Sequence, residues 1–588
     1  MIGFTSLLCC LVTFYLFESY THNPFTWMTS PIRMFNLLFY ALVLLLLFGI
    51  TGRLRASLWI MTGFFAVVGL LNYYVLSFRD TPIMPWDIYS IKTAASVASD
   101  FDYMPEPKIW AILLGFALLL LLEGRLKVTL RKKWFLRGIL VLCPFLALTG
   151  YTNLIQSEQF RIEFRLYDKL FTPTIMNRRD GNIVAFLMEM EYLEVDKPED
   201  YSASEVNSLL LSASKQELHA AVSDSVVTKR PNIIVIMNEA FSDPAVLLSE
   251  LDSAQQVIPF SQDYMPFFHS LEDGALDNTV TGMLNVSVLG GNTANSEFEF
   301  LTGNTMAFLP PGSVPYQQYI HDEMPSLAGQ LQSLGYSTVA IHPYNADGWE
   351  RDRVYPLLGF ERFISYYQMR ERRMLRSYVS DASCYEEIIA LYEEKEANKP
   401  LFVFNVTMQN HSSYTTDYNN LPVDVVADLP GAAALDRYAS LLRRSDLALE
   451  ELIHYFSEQE EETIILFFGD HQPVSSVTNP LLTANGISPA SFSEENSMLK
   501  YKVPYAIWAN FHISSDTNQE TSLNYLALDI LRYSGLPLTA YQTCLSDIRE
   551  DFPIVSAQRI VDANGEEREV DELDDYHQLQ YYRLFDEE

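Results

Sequence analysis

The stretch Thr463–Pro473 reads TIILFFGDHQP, an apolar run that stops at a glycine and is followed by Asp470 and His471. Short continuous apolar runs of this kind are typical of strands covered on both faces of a parallel sheet. In open α/β sheets, ligands bind beyond the carboxyl ends of the strands. The stretch therefore predicts an α/β fold and marks the sheet edge where a site belongs.

Four further runs have the same character, namely Asn232–Met237 (NIIVIM), Ser337–Ile341 (STVAI), Leu401–Val406 (LFVFNV) and Val503–Trp508. Helical patterns separate them, over 294–302, 323–334, 383–396, 436–458 and 520–534. This alternation predicts a mostly parallel central sheet with helices on both faces. We place this domain at 231–588 and expect its acidic tail, after about residue 560, on the surface.

Polar residues follow four of these strands. They are Asn238 and Glu239, His342, Asn410 and His411, and finally Asp470 and His471. A turn with a capping residue explains any single one of these ends. Four on one edge of a sheet instead favour a site for a metal or a phosphate.

The segment Leu289–Phe300, LGGNTANSEFEF, has paired glycines leading into a helical pattern that begins near Thr293. A hydroxyl at a helix N-terminus meets free backbone N–H groups and the positive end of the dipole, where phosphate binds. Such a hydroxyl can also act as a nucleophile if a metal lowers its pKa. A plain N-cap formed by Asn292 or Thr293 is the alternative.

Glu239, Asp470 and His471, with Thr293, would supply two carboxylates, an imidazole and an alkoxide. These hard or borderline ligands suit one divalent metal, Mn²⁺, Mg²⁺ or Zn²⁺, and of these we expect Mn²⁺ first. The residues are far apart in sequence, but the predicted topology brings them to one sheet edge.

The formal net charge is −34, and it is unevenly distributed. Residues 1–165 carry +5 and the rest of the chain −39. The acidic balance argues against a nucleic-acid partner, which would need a basic face. Apolar runs recur at 2–17, 34–50, 57–78, 109–122 and 134–154, which predicts a five-helix transmembrane domain over 1–154.

The orientation follows from Lys and Arg in the short loops. Basic residues lie at 53–55 and at 125–137, so both loops are expected in the cytoplasm. The N-terminus is then cytoplasmic, loop 79–108 lies outside, and so does everything after residue 155. Residues 155–230 are interpreted as a connector with a short helix opened by a capping box at Ser202–Glu205. Cys384 and Cys544 either pair or remain free thiols.

Taken together, these motifs resemble the lipoteichoic acid synthases, polyglycerolphosphate transferases of Gram-positive bacteria in the alkaline phosphatase/sulfatase superfamily. The resemblance covers nearly the whole chain. It rests on NIIVIMNEAFSD, GGNTANSEFEFLTG, the segment His342–Arg351, MQNHSSY and FFGDHQP. It implies an N-terminal membrane domain, an extracellular sulfatase-like domain and a place in the cell membrane.

The resemblance also implies roles for individual residues. The implied metal ligands are Glu239, Thr293, Asp470 and His471, with Thr293 also the nucleophile. The implied glycerol-phosphate pocket is formed by His342, Trp349, Arg351 and His411. Two positions depart from the family pattern: Tyr344 stands where an acidic residue is usual, and the nucleophile segment lacks the usual Gly-Lys-Thr.

The implied activity is transfer of glycerol phosphate from phosphatidylglycerol to a growing polyglycerolphosphate chain or a glycolipid anchor, through a phospho-threonine intermediate. A phosphoglycerol transferase acting on another envelope glycan or lipid is an alternative, as is a phosphoethanolamine transferase. A sulfatase proper is disfavoured because the segment 290–300 has neither the Cys nor the Pro of the formylglycine motif. A membrane-anchored binding or sensory protein is the alternative from another class.

Overall fold

The computed structural model describes residues 2–79, 82–88, 104–130, 133–167, 173–193, 195, 197–223, 230–249, 260–489, 492 and 497–587. The chain divides into two compact units, residues 1–88 with 103–195 and residues 89–102 with 196–588. The predicted connector 155–230 is thus shared between the units. Most of the predicted outer loop 79–108, and residues 131 and 132 of the second basic loop, lie outside the described residues.

The first unit is helical, and each predicted apolar run forms a helix: Ile2–Glu18, Ser30–Thr51, Leu54–Arg79, Pro107–Glu123 and Trp134–Gln156. Shorter helices cover Pro24–Trp27, Glu158–Phe164, Pro173–Asp180 and Asn182–Glu189. Among the described residues, three helices are long and apolar enough to cross a membrane: Ser30–Thr51, Leu54–Ser77 and Trp134–Gln156.

The count of five spanning helices therefore needs correction. Ile2–Glu18 and Pro107–Glu123 have 17 residues each. At a rise of 1.5 Å per residue this gives about 26 Å, which is less than the roughly 30 Å of a bilayer core. Large apolar side chains nevertheless face outward on both long and short helices, for example Phe64 and Leu121 at 59% and 71% exposure.

The second unit is built on an eight-stranded sheet with two small hairpins. In chain order its strands are β1 Asn232–Asn238, β2 Thr279–Asn285, β3 Ser337–His342, β4 Arg362–Ser365, β5 Met374–Leu375, β6 Tyr378–Val379, β7 Leu401–Val406, β8 Thr463–Gly469, β9 Lys502–Ala509, β10 Asp516–Ser522, β11 Ile554–Val555 and β12 Ile560–Val561. The order across the sheet is β10-β2-β9-β8-β1-β7-β3-β4.

The strands from β8 to β4 are parallel to one another, and only β9 runs antiparallel to its neighbours β8 and β2. The predicted, mostly parallel sheet is thus confirmed. The register pairs Asn238 with Gly469, so β1 and β8 end at the same level. Residues that directly follow these two strands consequently meet at one edge.

The helices of this unit cover the sheet and its margins. They are Ala203–Ser223, Pro266–Glu272, Thr293–Thr302, Pro315–Gln318, Leu327–Ser333, Arg351–Leu357, Asp381–Glu394, Ala433–Ser457, Ser475–Ala484, Leu526–Tyr533, Ala540–Asp551 and Asp574–Tyr581. All five cysteines are free thiols, including Cys384 and Cys544.

Two sequence predictions about this unit need correction. The segment 520–534, predicted as a helix, begins as the end of strand β10, and the helix follows at Leu526–Tyr533. Strand β10 is a polar edge strand that pairs only with β2, so no apolar run marks it in the sequence. The tail does not simply lie on the surface, because Tyr576 and Leu579 are buried against a cluster that includes Phe308 and Tyr541. The helix Asp574–Tyr581 thereby becomes part of the fold.

Candidate active site

Glu239, Asp470 and His471 form a compact buried group at the carboxyl ends of β1 and β8. One ligand atom of each lies within 4.8 Å of the others. His471 Nε2 is 3.5 Å from Glu239 Oε1 and 3.4 Å from Asp470 Oδ2. The approach of the two strand ends is close, since a Cβ on Gly469 would lie 1.8 Å from the carbonyl oxygen of Phe241. A glycine is therefore required there.

The unpaired atoms of this group fit a cation. His471 Nδ1 bonds the carbonyl oxygen of Gln472 at 2.9 Å, so Nδ1 carries the proton and Nε2 presents its lone pair. Asp470 Oδ1 accepts the backbone N–H of Ala240 at 2.7 Å. Asp470 Oδ2 and His471 Nε2 are buried without a hydrogen-bond partner within the described part of the chain. Buried polar atoms are normally satisfied, and a divalent metal would satisfy both.

The charge of the site also favours a bound cation. Burial, followed by the neighbouring carboxylate of Asp470, raises the pKa of Glu239 well above its ordinary value. Two buried carboxylates side by side disfavour the doubly ionised state, and a cation between them reverses that preference. The donor set of two carboxylates and one imidazole is suitable for Mn²⁺, Mg²⁺ or Zn²⁺.

Thr293 lies beside this group as the first residue of the helix Thr293–Thr302. Its hydroxyl donates to Glu239 Oε2 at 3.5 Å, and its side chain is buried. The preceding turn has positive φ at Gly290 and Asn292, 66° and 61°, which explains the glycine before the helix. Ser296 Oγ donates to the carbonyl oxygen of Asp470 at 2.9 Å and fixes the first helical turn against the β8 end.

His342 and Arg351 form a second buried group. His342 ends β3, and its Nδ1 bonds the carbonyl oxygen of Val406 at 3.0 Å. Its Nε2 accepts Arg351 Nη1 at 3.1 Å. Burial, and then the charge of Arg351, lower the pKa of His342 well below its ordinary value. His342 is therefore neutral, and the positive charge of this pair belongs to Arg351.

Glu297, which the sequence reasoning missed, holds Arg351 in place. Its Oε1 accepts Arg351 Nε at 3.0 Å and Nη2 at 2.5 Å, and its Oε2 accepts the Tyr355 hydroxyl at 2.7 Å. Glu297 stands one helical turn after Thr293, on the same face of the helix. That i, i+4 spacing inside GGNTANSEF was the available signal. The helix Thr293–Thr302 and the Arg351 group are thus joined by a buried ion pair.

His411 lies in the loop after β7 and is half-buried. Its Nδ1 is 3.0 Å from the hydroxyl of Tyr378 and 2.7 Å from the carbonyl oxygen of Ser412. Burial lowers the pKa of His411 to about 4, so the ring is neutral at pH 7. Arg376, also missed by the sequence reasoning, supports this loop by donating to the carbonyl oxygens of Gln409 and His411, each at 2.7 Å.

Trp349 lies two residues before Arg351, in a short turn rather than on a strand end. Its backbone is left-handed, with φ 57° and ψ 18°, and its side chain is half-buried. This conformation is uncommon for a residue with a large side chain and is typical of functional turns. The turn that contains Trp349 leads directly into the helix that begins at Arg351, so one turn positions both residues.

Asn238 and Asn410, two of the polar strand-end residues, bond each other instead of joining the group of Glu239, Asp470 and His471. Asn410 Nδ2 donates to Asn238 Oδ1 at 2.9 Å, and Asn238 Nδ2 donates to Asp381 Oδ2 at 2.7 Å. Asp381 also accepts the Ser445 hydroxyl at 2.6 Å, and burial raises its pKa to about 6. These hydrogen bonds stabilise the end of β1 against the loop that follows β7.

The fold and the site define an α/β protein with two carboxylates, an imidazole and a hydroxyl gathered at the carboxyl ends of parallel strands. The profile of the sulfatase family matches residues 231–536, just over half of the chain. The chain belongs to the sulfatase family.

Two curated relatives extend the comparison. A protein of Rhizobium meliloti, provisionally named a cyclic beta-1,2-glucan modification protein, is 30% identical over 428 residues, which is 71% of this chain and 63% of that protein. The lipoteichoic acid synthase of Staphylococcus aureus is 23% identical over 380 residues, 57% of this chain and 56% of that one. The matches thus span somewhat more than half of each relative.

Among solved structures, the phosphoglycerol transferase GacH of Streptococcus pyogenes, in complex with sn-glycerol-1-phosphate, superposes with a TM-score of 0.52 at 20% identity. The match covers 66% of this chain and 94% of that one. At this identity it establishes the shared fold.

Proposed function

We propose that this protein transfers glycerol phosphate from phosphatidylglycerol to a hydroxyl group of an envelope acceptor, with Thr293 as the nucleophile. One observation carries the proposal: the Thr293 hydroxyl lies at a helix N-terminus, 3.5 Å from Glu239. Glu239 in turn adjoins two buried atoms, on Asp470 and His471, that have no hydrogen-bond partner among the described residues. The names of the relatives support the same class of reaction.

Each residue of the site has its own role in the proposed reaction. Glu239, Asp470 and His471, with Thr293, would hold one divalent metal, of which Mn²⁺ is our first choice. A bound cation supplies positive charge for the hydroxyl oxygen and the phosphoryl oxygens. Thr293 Oγ forms a bond to the phosphorus of the donor as the bond to the diacylglycerol oxygen breaks, and the proton of the Thr293 hydroxyl passes to that oxygen, which leaves as the alcohol. The acceptor hydroxyl then bonds to phosphorus, the bond to Thr293 breaks, and the acceptor's proton returns to Thr293 Oγ.

The charges of the buried side chains support the assignment of the headgroup pocket. Arg351 is a buried cation that contacts the nucleophile helix through Glu297, which orients it by a bidentate contact. His342 and His411 are assigned to the same pocket and, being neutral, add no charge to it; both ring nitrogens of His342 are bonded, to the carbonyl oxygen of Val406 and to Arg351. Trp349 is assigned to the same pocket on the family resemblance. Positioning and charge neutralisation suffice for displacement at phosphorus.

Two classes of acceptor are candidates for this transfer. A polyglycerolphosphate chain or its glycolipid anchor would be the acceptor of a lipoteichoic acid synthase. The 30% identity to a glucan modification protein, against 23% to the synthase, favours a glycan as the second candidate. Phosphoethanolamine transfer would use the same centre with a different headgroup pocket.

We assign catalysis to residues 231–588 and membrane attachment to residues 1–154, with 155–230 as the connector. The three apolar helices that can cross a membrane support attachment. The basic loops support a cytoplasmic N-terminus and an extracellular catalytic domain. The catalytic domain could then reach donor lipid in the outer leaflet, and the transfer would not require ATP.

The test is turnover of fluorescent phosphatidylglycerol by the purified full chain with Mn²⁺, followed by separation of diacylglycerol from products. We expect Thr293→Ala to lower diacylglycerol release at least a thousandfold, because the nucleophile is lost. Thr483→Ala, on an exposed helix position, is the matched control and should retain wild-type turnover. Wild-type turnover in Thr293→Ala would contradict the assignment of Thr293.

A further inference from the structure

The two short helices of the first unit, Ile2–Glu18 and Pro107–Glu123, border a cavity of about 400 Å³. Ligand sites typically have volumes of about 300–1,000 Å³. The two helices touch at one end of this cavity, where a Cβ on Gly115 would lie 2.9 Å from a methyl carbon of Leu16. This contact holds the two walls of the cavity together. We call the cavity the helix groove.

Polar side chains gather at the other end of the helix groove. Ser19, His22 and Asn23 directly follow the first helix, and Lys108 is the second residue of the other one. Lys108 is exposed and forms no hydrogen bond or ion pair with any residue that the structure describes. Burial, and then the charges of Arg178 and Lys108, lower the pKa of His22 to about 3, so its ring is neutral at pH 7. Lys108 is therefore the cation at this end, with the charge of Arg178 nearby.

The one carboxylate close to the polar end belongs to Glu18, and it is already satisfied. Glu18 Oε2 lies 3.4 Å from His22 Nε2 and accepts Asn182 Nδ2 at 2.7 Å. The Glu18 side chain is fully buried and is not part of the groove lining. It therefore leaves the positive charge of Lys108 available to a ligand.

Both walls of the helix groove change from polar to apolar in the same direction. Leu16 lies about one helical turn before Ser19, and Ala111 and Ile112 lie about one turn after Lys108. The groove thus has a cation at one end and aliphatic side chains at the other. This is the arrangement that a phospholipid needs, because its phosphate and its acyl chains require opposite surroundings.

The length of the two helices gives a second, independent reason to expect a lipid. Each has 17 residues and is about 26 Å long, which is less than the roughly 30 Å of a bilayer core. A bilayer thins beside a hydrophobic segment that is too short for it. Lipid phosphates are then drawn toward the ends of these helices, where Lys108 lies.

We propose that the helix groove binds one anionic phospholipid, with its phosphate at Lys108 and an acyl chain against Leu16 and Ile112. Asn23 supplies a further donor, because its Oδ1 already accepts the backbone N–H of Phe25 at 3.0 Å and its NH₂ group remains to donate. A zwitterionic lipid would bring a second ammonium group beside that of Lys108. The inference goes beyond the proposed function, since no step of the transfer at Thr293 depends on it.

The test measures the Kd of the first bound lipid by native mass spectrometry of the delipidated full chain in detergent. Three ligands are compared: dioleoylphosphatidylglycerol, dioleoylphosphatidylcholine, and sn-glycerol-1-phosphate, which has a phosphate but no acyl chain. The wild type should bind phosphatidylglycerol at least fivefold more tightly than phosphatidylcholine and at least a hundredfold more tightly than glycerol phosphate.

Two variants probe the two ends of the helix groove, both at exposed positions. Lys108→Gln should raise the Kd of phosphatidylglycerol about fivefold, which is the typical contribution of one lysine at an anionic lipid surface, and leave that of phosphatidylcholine unchanged. Ala111→Phe fills the apolar end and should raise the Kd of phosphatidylglycerol at least tenfold.

Lys133→Gln is the matched control, because Lys133 is also exposed and also begins an apolar helix, Trp134–Gln156, but does not line the helix groove. Its Kd values should equal those of the wild type. Equal Kd values for the two lipids in the wild type, an unchanged Kd for phosphatidylglycerol in Lys108→Gln, or glycerol phosphate binding as tightly as the lipid would overturn the proposal. Since the measurement is of binding, a failure of the proposed transfer would not alter it.

Discussion

The buried ion pair between Glu297 and Arg351 allows a quantitative test of the site's architecture. Glu297→Gln keeps the shape of the side chain but leaves Arg351 as an uncompensated buried charge. Both side chains are almost fully buried, at 0% and 2% exposure. Breaking such a pair on one side typically costs about 3–5 kcal/mol. The loss should therefore be visible in the thermal stability of the second unit.

The expected shift in melting temperature follows from the size of that unit. An unfolding entropy of ~2.1 cal/mol/K per residue gives about 0.8 kcal/mol/K for the roughly 390 residues of 196–588. The cost of 3–5 kcal/mol then corresponds to a decrease of about 4–6 °C. Differential scanning fluorimetry of the detergent-solubilised full chain can resolve this change.

The matched control is Glu386→Gln, which breaks an exposed pair with Arg373 whose side chains are 46% and 57% exposed. Surface pairs contribute about 0–1 kcal/mol, so the control should shift the melting temperature by about 1 °C or less. Equal shifts in the two variants would refute the reasoning, because they would show that burial of the Glu297 pair has no energetic consequence.

Three other outcomes are expected. Asp470→Asn should retain less than a tenth of the wild-type metal content by plasma mass spectrometry, whereas Asp417→Asn, on the surface, should retain all of it. Burial raises the pKa of Glu299 from 4.5 to about 7, so the folded state favours its protonated form and stability falls as the pH rises through that window. Glu299→Gln lacks this loss and should gain about 3 kcal/mol relative to wild type between pH 4.5 and 8. Gly469→Ala should lower the yield of folded protein severely, because its Cβ would overlap the Phe241 carbonyl, while Gly329→Ala meets no atom closer than 3.7 Å and should be tolerated.

Each outcome has a contrary result. Full metal content in Asp470→Asn would remove that carboxylate from the ligand set. A free-energy difference between Glu299→Gln and wild type that does not change with pH would mean that Glu299 titrates normally in the folded protein. Normal expression and melting of Gly469→Ala would mean that β1 and β8 do not end as closely as described.

The strand ends were predictable because their signal is local. A run such as TIILFF followed by Gly469, Asp470 and His471 combines strand propensity, length and a polar terminus within a few residues. Parallel pairing then brings Glu239 to the same edge. The helix that starts at Thr293 was equally visible from its paired glycines.

The missed residues depend on contacts between distant segments. Glu297 pairs with Arg351, 54 positions away, and Asp381 bonds Asn238, 143 positions away. A buried carboxylate in a helix looks in the sequence like any exposed one. Strand β10 was missed for a related reason, since DTNQETS has no apolar run and is extended only because β2 pairs with it.

The helix Asp574–Tyr581 completes the packing behind the end of the helix Thr293–Thr302. Gln580 and Thr305 exchange two hydrogen bonds, of 2.7 and 2.9 Å, across 275 positions, and the hydroxyl of Tyr576 donates to the carbonyl oxygen of Gly303 at 2.7 Å. These contacts close a very long loop, and loop-closure entropy makes such contacts slow to form. The packing behind the helix of Thr293 is therefore a late event in folding, because it cannot form before residue 580 has been synthesised.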